Sequence, residues 1–199
     1  LWHTLSLHDA LPIYDIPDNP LPEGLEVRPV RSEDVKPIWH AAREAFRDHW
    51  GFCEEEWADD RLEGWQKDPT YNPELWQVAW DGDEVAGMVL NFIHEVENEE
   101  YDRKRGYTET ICVGRPWRRR GLARALISRS MKLHKELGMT EVALGVDALN
   151  PNGALELYES MGYEIVKRAA TYRKPLTAEP SDKKEKPDDS DLRAERRGN

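Results

Sequence analysis

A basic glycine turn, set between a β-branched run and a long amphipathic pattern, constrains this chain more than any other feature. Residues 108–138 read TETICVGRPWRRRGLARALISRSMKLHKELG. Thr108, Thr110, Ile111 and Val113 favour a strand, which Gly114 and Pro116 end. Downstream, Leu122, Leu126, Ile127, Leu133 and Leu137 recur at the spacing that puts one apolar stripe on a helix, and Gly138 supplies its stop. The order is therefore strand, basic turn, helix.

Between them lie Arg118, Arg119, Arg120, Gly121, Leu122 and Ala123. Gly121 lets the backbone turn tightly and approach a ligand, and the first helical turn offers unpaired N–H groups to an anion. Three arginines add forked donors suited to phosphate oxygens. Alone, R-x-x-G-x-A describes a solvated basic helix start equally well. It does not stand alone: Val113 and Trp117 precede it, and Asn150, Ala154, Leu157, Tyr158, Glu159, Gly162 and Tyr163 follow.

Together these residues resemble the pattern of the GNAT superfamily of N-acetyltransferases, over residues 25–176. The later part is most similar to the C-terminal catalytic half of tandem-GNAT proteins of the mycothiol synthase kind. The resemblance implies an α/β (α+β) fold: a mixed central sheet of six to seven strands, flanked by about four helices and splayed at the strand before the R-x-x-G-x-A turn. It also implies acetyl-CoA as cosubstrate and direct attack of a primary amine, on a small molecule or a protein, at the thioester. A noncatalytic acyl-CoA-binding or sensing half of a tandem protein is the alternative.

On the same resemblance, Arg118, Arg119, Arg120, Gly121, Leu122 and Ala123 would hold the pyrophosphate. The backbone of Ile111, Cys112 and Val113 would pair with pantetheine amides where two parallel strands part. Such edge pairing leaves side-chain identity nearly free. Tyr158 matches the tyrosine that protonates the departing thiolate, and a phenol keeps its proton at neutral pH. As an alternative, it is a core tyrosine on its helix face. Asn150 is a candidate for hydrogen bonding to pantetheine, although one extra residue separates it from Ala154; capping is its other role. Glu109 is the best-placed carboxylate for a general base, with Glu95 or Glu97 acting through water as alternatives. The segment from Arg47 through Trp57, Leu62 and Trp65 resembles the wall of the acceptor pocket, where aromatic density also serves as plain core.

The formal net charge of -11 argues against a nucleic-acid binder despite the arginine cluster, and favours a cationic amine as acceptor. Two cysteines, Cys53 and Cys112, make no disulfide framework, and a reducing cytoplasm fits them. His40, His49, His94 and His134 lack metal-ligand spacing, and no apolar run is long enough to span a membrane.

Around this centre, residues 1–13 resemble the translation of a sequencing-library adapter and are set aside from fold reasoning. On that reading the natural protein continues upstream, where a tandem relative would carry another GNAT-like half. Residues 14–24, with three prolines, read as an extended linker. The domain, 25–176, opens with a short strand and a helix capped by Ser32 and carrying Ile38, Trp39, Ala42 and Phe46. A hairpin follows at 76–93, then a charged loop at 94–106 that connects elements or lines an acceptor site for a cationic amine. A strand at 141–147 leads to a helix that Asn150 caps and Pro151 opens, and the chain returns as a last strand at 163–173. Residues 177–199 mix seven acidic and six basic side chains with little apolar content, which predicts a disordered tail.

Overall fold

The computed structural model describes residues 2–12, 15–47, 49, 52–147, 150 and 152–173. Pro151 and the expected tail at 177–199 lie outside the described residues. The main body is Thr4–Thr171. Strands β1 (Trp2–Pro12), β2 (Glu26–Val27), β3 (Gln77–Asp81), β4 (Glu84–Phe92), β5 (Arg105–Val113), β6 (Glu141–Asp147) and β7 (Glu164–Arg173) alternate with helices α1 (Val35–Phe46), α2 (Asp59–Trp65), α3 (Glu95–Glu100), α4 (Leu122–Glu136) and α5 (Ala154–Glu159). The strand order is β2-β3-β4-β5-β6-β1-β7. Neighbours from β2 to β5 pair antiparallel, β5 and β6 pair parallel, and β1 pairs antiparallel with β6. Among the described residues the mixed sheet of six to seven strands is thus present, with five helices where about four are expected. The extra one is α3, inside the stretch expected to be a charged loop.

Strand β1 falls in the adapter-like segment, its backbone running from Ser6↔Asp147 to Pro12↔Glu141. Ladder bonds use backbone groups alone, so this pairing carries no information about the origin of the segment. Residues 15–24 lie along α4: Ile16 and Leu21 pack on the core, the Asn19 amide donates to Ser128 Oγ (2.9 Å), and Lys132 pairs with Asp18 (2.9 Å).

Both faces of the central strands β3 and β4 are buried, which is why β4 reads as a nearly continuous apolar run. On one face Ile38 and Ala42 of α1 meet Val78, Trp80, Met88 and Leu90. On the other, Leu122, Leu126, Ile127 and Met131 of α4 meet Ala79, Ala86, Val89, Val142 and Leu144. Ser32 does not cap α1; its hydroxyl donates to Glu33. Asp34 instead accepts the Arg31 N–H (2.8 Å) and a forked pair from Arg28 (2.6 and 2.9 Å), whose guanidinium also lies 4.1 Å over the Trp80 ring. That pairing ties the start of α1 to the sheet, and holds the Asp34 carboxyl below its usual range.

The α4 stripe bends away from its expected course. Leu137 is the C-cap residue and 45% exposed, while the buried face continues through Ser130, Met131 and His134. The period held, but polar side chains carried it. His134 is fully buried against Gly106, where an added Cβ would lie 2.2 Å from His134 Nδ1. Gly106→Ala is therefore expected to lower the unfolding free energy by about 1–3 kcal/mol in urea titration. Burial also pushes the His134 imidazole down to about 4 from its ordinary 6.5. A depressed folded value means that the unfolded chain takes up the proton first. This stabilisation is complete above pH 6.5 and falls as pH drops toward 4, by roughly 3 kcal/mol in all. His134→Leu should flatten that part of the stability profile.

Candidate active site

Strands β5 and β6 pair only from Arg105↔Glu141 to Tyr107↔Ala143, although they run on to Val113 and Asp147. They diverge because β5 carries a bulge. Met88 faces Cys112 and Leu90 faces Glu109, so Thr110 and Ile111 together oppose Val89 alone. Thr110 has φ +46°, a left-handed conformation that costs a β-branched residue about 1–2 kcal/mol. The bulge adds twist and turns the strand away from its parallel neighbour. Ile111, Cys112 and Val113 keep β4 on one side and, among the described residues, have no ladder partner on the β6 side. Below the split, the buried Thr108 hydroxyl meets Tyr163 Oη (3.1 Å) and closes the base.

Beyond β5 the chain enters the basic turn. Gly114 N–H donates to Ala86 O (2.9 Å), and a single 3-10 turn, Arg115–Trp117, follows. The Arg118 Nε–H returns to Val113 O (3.0 Å). Arg119 (φ +63°) and Gly121 (φ +85°) then reverse the chain into α4. The first intrahelical bond runs from Ala125 N–H to Gly121 O, which leaves the preceding N–H groups at the helix start for an anion. A Cβ at Gly121 would meet nothing within 4 Å, so the space beside it is open.

One cavity of about 1250 Å³ joins these parts. Its lining includes Glu109, Ile111, Cys112, Val113, Arg118, Arg119, Gly121, Leu122, Ala123, Asn150 and Tyr158. Arg120 is not part of it; its guanidinium donates to Glu23 O (3.2 Å). Arg124 does line it, a basic residue of the first helical turn that sequence reasoning passed over although it lies three positions after Gly121. Burial pushes the Cys112 thiol up to about 12, so it stays a thiol.

Tyr158 is buried to 6% exposure yet reaches the cavity wall, with its ring 6.0 Å from that of Tyr163. Glu109 is exposed at the split. Neither Glu95 nor Glu97 lines the cavity; Glu97 accepts from Tyr107 Oη (2.9 Å) and pairs with Arg103. Asn150 does not cap α5. Its Oδ1 accepts the Asn152 N–H (2.9 Å), and the N-cap position belongs to Gly153, at φ +69°.

The far wall is aromatic: Phe46, His49 and Trp57 line the same cavity. Phe46 lies 4.5 Å from His49 and stacks on Trp57 at 5.9 Å. Trp39 holds Trp57 from behind, with rings 4.9 Å apart and its indole N–H on Trp57 O (3.1 Å). Trp65 instead packs between Trp39 and Trp76 and stays in the core. Among the described residues, no group of three or more His, Cys, Asp or Glu could hold a metal ion, and no helix is long and apolar enough to cross a membrane.

The pattern of the Acetyltransferase (GNAT) family matches residues 39–163. A mycothiol acetyltransferase of Geodermatophilus obscurus is 28% identical over 144 residues, 72% of this chain and 46% of that protein. An N-alpha-acetyltransferase of Arabidopsis thaliana is 40% identical over 68 residues, 34% of this chain and 35% of that protein. Among solved structures, a GCN5-related N-acetyltransferase from Sphaerobacter thermophilus superposes with a TM-score of 0.65 at 28% identity, over 83% of this chain and 49% of that one. The chain thus spans about half the length of the mycothiol acetyltransferase and of the Sphaerobacter protein.

Proposed function

Because this chain belongs to the GNAT acetyltransferase family, we propose that it transfers an acetyl group from acetyl-CoA to a primary amine of a small molecule or protein. The carrying observation is that one cavity holds an open strand edge, a helix start with free N–H groups and a buried tyrosine. Acetyl-CoA supplies the activated thioester. The chain supplies the rest. Gly121, Leu122 and Ala123 present N–H groups to the pyrophosphate, with Arg118, Arg119 and Arg124 adding charge. The open edge of Ile111, Cys112 and Val113 aligns the pantetheine arm by backbone bonds. As the C–N bond forms and the C–S bond breaks, Glu109, or water it orders, takes the amine proton, and Tyr158 gives one to the sulfur.

The aromatic wall suits the cationic body of an amine, since ring faces attract cations, and the chain's negative charge attracts them at longer range. Two cysteines without a disulfide framework fit a reducing cytoplasm as its compartment. A second reading, a noncatalytic acyl-CoA-binding half of a tandem protein, would use the same cavity and differ only in turnover. Calorimetry of the full chain with acetyl-CoA, then thiol release with a panel of amines, separates the two. Binding followed by amine-dependent release supports the enzyme, binding without release under any amine supports the module, and no binding removes both.

A further inference from the structure

The basic turn is fastened to a part of the fold that touches none of the reacting groups. Asp81 ends β3 at the hairpin turn before β4, and its Oδ2 accepts the Trp117 indole N–H at 2.8 Å. The Trp117 ring lies so close over Gly114 that a Cβ there would come within 2.8 Å of it. Trp117 N–H also donates to Gly114 O (3.0 Å), while Gly114 N–H is bonded to Ala86 O on β4. The turn is thereby tied to the β3–β4 hairpin at two points, Gly114 through its backbone N–H and Trp117 through its indole. The next residues, Arg118, Arg119, Gly121, Leu122 and Ala123 among them, carry the anion-binding groups.

We infer that Asp81 is a positioning residue: through Trp117 it holds the phosphate turn in the shape that binds CoA. This rests on the acetyl-transfer reading above. It also makes a prediction opposite in sign to simple electrostatics. A carboxylate near a pyrophosphate site repels the ligand, so deleting it would tighten binding if charge were its only effect. A positioning role requires the reverse. Binding weakens when the hydrogen-bond acceptor is lost, and survives when the charge alone is lost.

Asp81→Ala, Asp81→Asn and Trp117→Phe answer this in the full chain. CoA affinity by calorimetry should fall about 5- to 10-fold in Asp81→Ala, which leaves the cavity lining intact, and at least as much in Trp117→Phe, which lacks the N–H and also alters a ring that lines the cavity. Asp81→Asn retains an acceptor oxygen and should bind within about twofold of the native protein. The Asp81→Ala, Trp117→Phe double variant should bind no worse than Trp117→Phe alone, because both remove the same bond. With an amine substrate, the loss should appear in KM for acetyl-CoA and leave kcat unchanged. Without ligand, amide exchange at 118–123 should quicken in Asp81→Ala and not in Asp81→Asn. Native-like affinity or exchange in Asp81→Ala, equal loss in Asp81→Asn, or additive losses in the double variant would overturn the inference alone. A native chain that does not bind CoA overturns the acetyl-transfer reading, and the positioning of CoA with it.

Discussion

Replacing Gly121 with valine is expected to weaken acetyl-CoA binding by about 100-fold or more while leaving the fold nearly as stable. The residue sits at φ +85°, where a Cβ meets no protein atom. Steric crowding within the protein is therefore not the issue. The penalty is in the backbone: an L-residue in this region costs about 1–2 kcal/mol, and a β-branched one resists it most. The turn has two ways to respond. If it keeps its shape, folding bears the strain and the valine methyls fill the open space where a phosphate would approach. If it relaxes to negative φ, the N–H groups of Leu122 and Ala123 swing off their target. Each charge-assisted hydrogen bond lost is worth roughly 1.5–3 kcal/mol, so losing two exceeds a hundredfold. Gly121→Ala, with one methyl and no branching, should fall between. Calorimetry reads the affinity, and urea titration shows whether stability moved by more than about 2 kcal/mol. A valine variant that binds acetyl-CoA within threefold of the native chain would take the pyrophosphate away from this turn.

The residues that made the site legible in the sequence are those with a backbone job. Gly121 adopts positive φ, which glycine does without strain, and its place between the arginines and the helix stripe makes it readable; Gly114 is readable as the end of the strand. The β-branched run at 108–113 and the spacing through Ile127 likewise placed β5 and α4 in order. What escaped the sequence depended on long-range contact. Arg120 shares composition with Arg118 and Arg119, yet its partner is Glu23, about a hundred residues away in the chain. Nothing local separates an arginine that faces a cavity from one that grips a backbone carbonyl. The later course of α4 was misread for a related reason. Ser130 is buried because Asn91 donates to it, and His134 because Gly106 leaves it room, so two polar residues replaced the leucines that hydrophobicity favoured. Asn150 was read as a helix cap from its type and the following proline. A turn ending at Gly153 moved the helix start beyond it.

Tyr158→Phe is expected to lower kcat by about 100- to 1,000-fold while leaving acetyl-CoA affinity within about twofold. The substitution is nearly isosteric, so the ring keeps its packing near Tyr163 in the α4–α5 side of the core. What it loses is the hydroxyl of a residue that lines the cavity. General acids of this kind contribute typically about 10²–10⁴ in rate, because expelling a thiolate unprotonated leaves a charge in a partly dry cleft. Binding does not draw on that proton, since the cofactor grip proposed here is made by backbone N–H groups and arginines. The expected signature is thus a kcat effect with KM for acetyl-CoA unchanged, the opposite of the Asp81→Ala pattern. It also separates the two roles open to Tyr158: a core tyrosine would show its loss in stability and spare the rate. If instead water donates the proton, the variant turns over within a few-fold of the native enzyme, and Tyr158 leaves the mechanism. A drop in kcat with full stability and full CoA affinity would assign the proton to this hydroxyl, and with it the direction in which the thiolate departs from the split between β5 and β6.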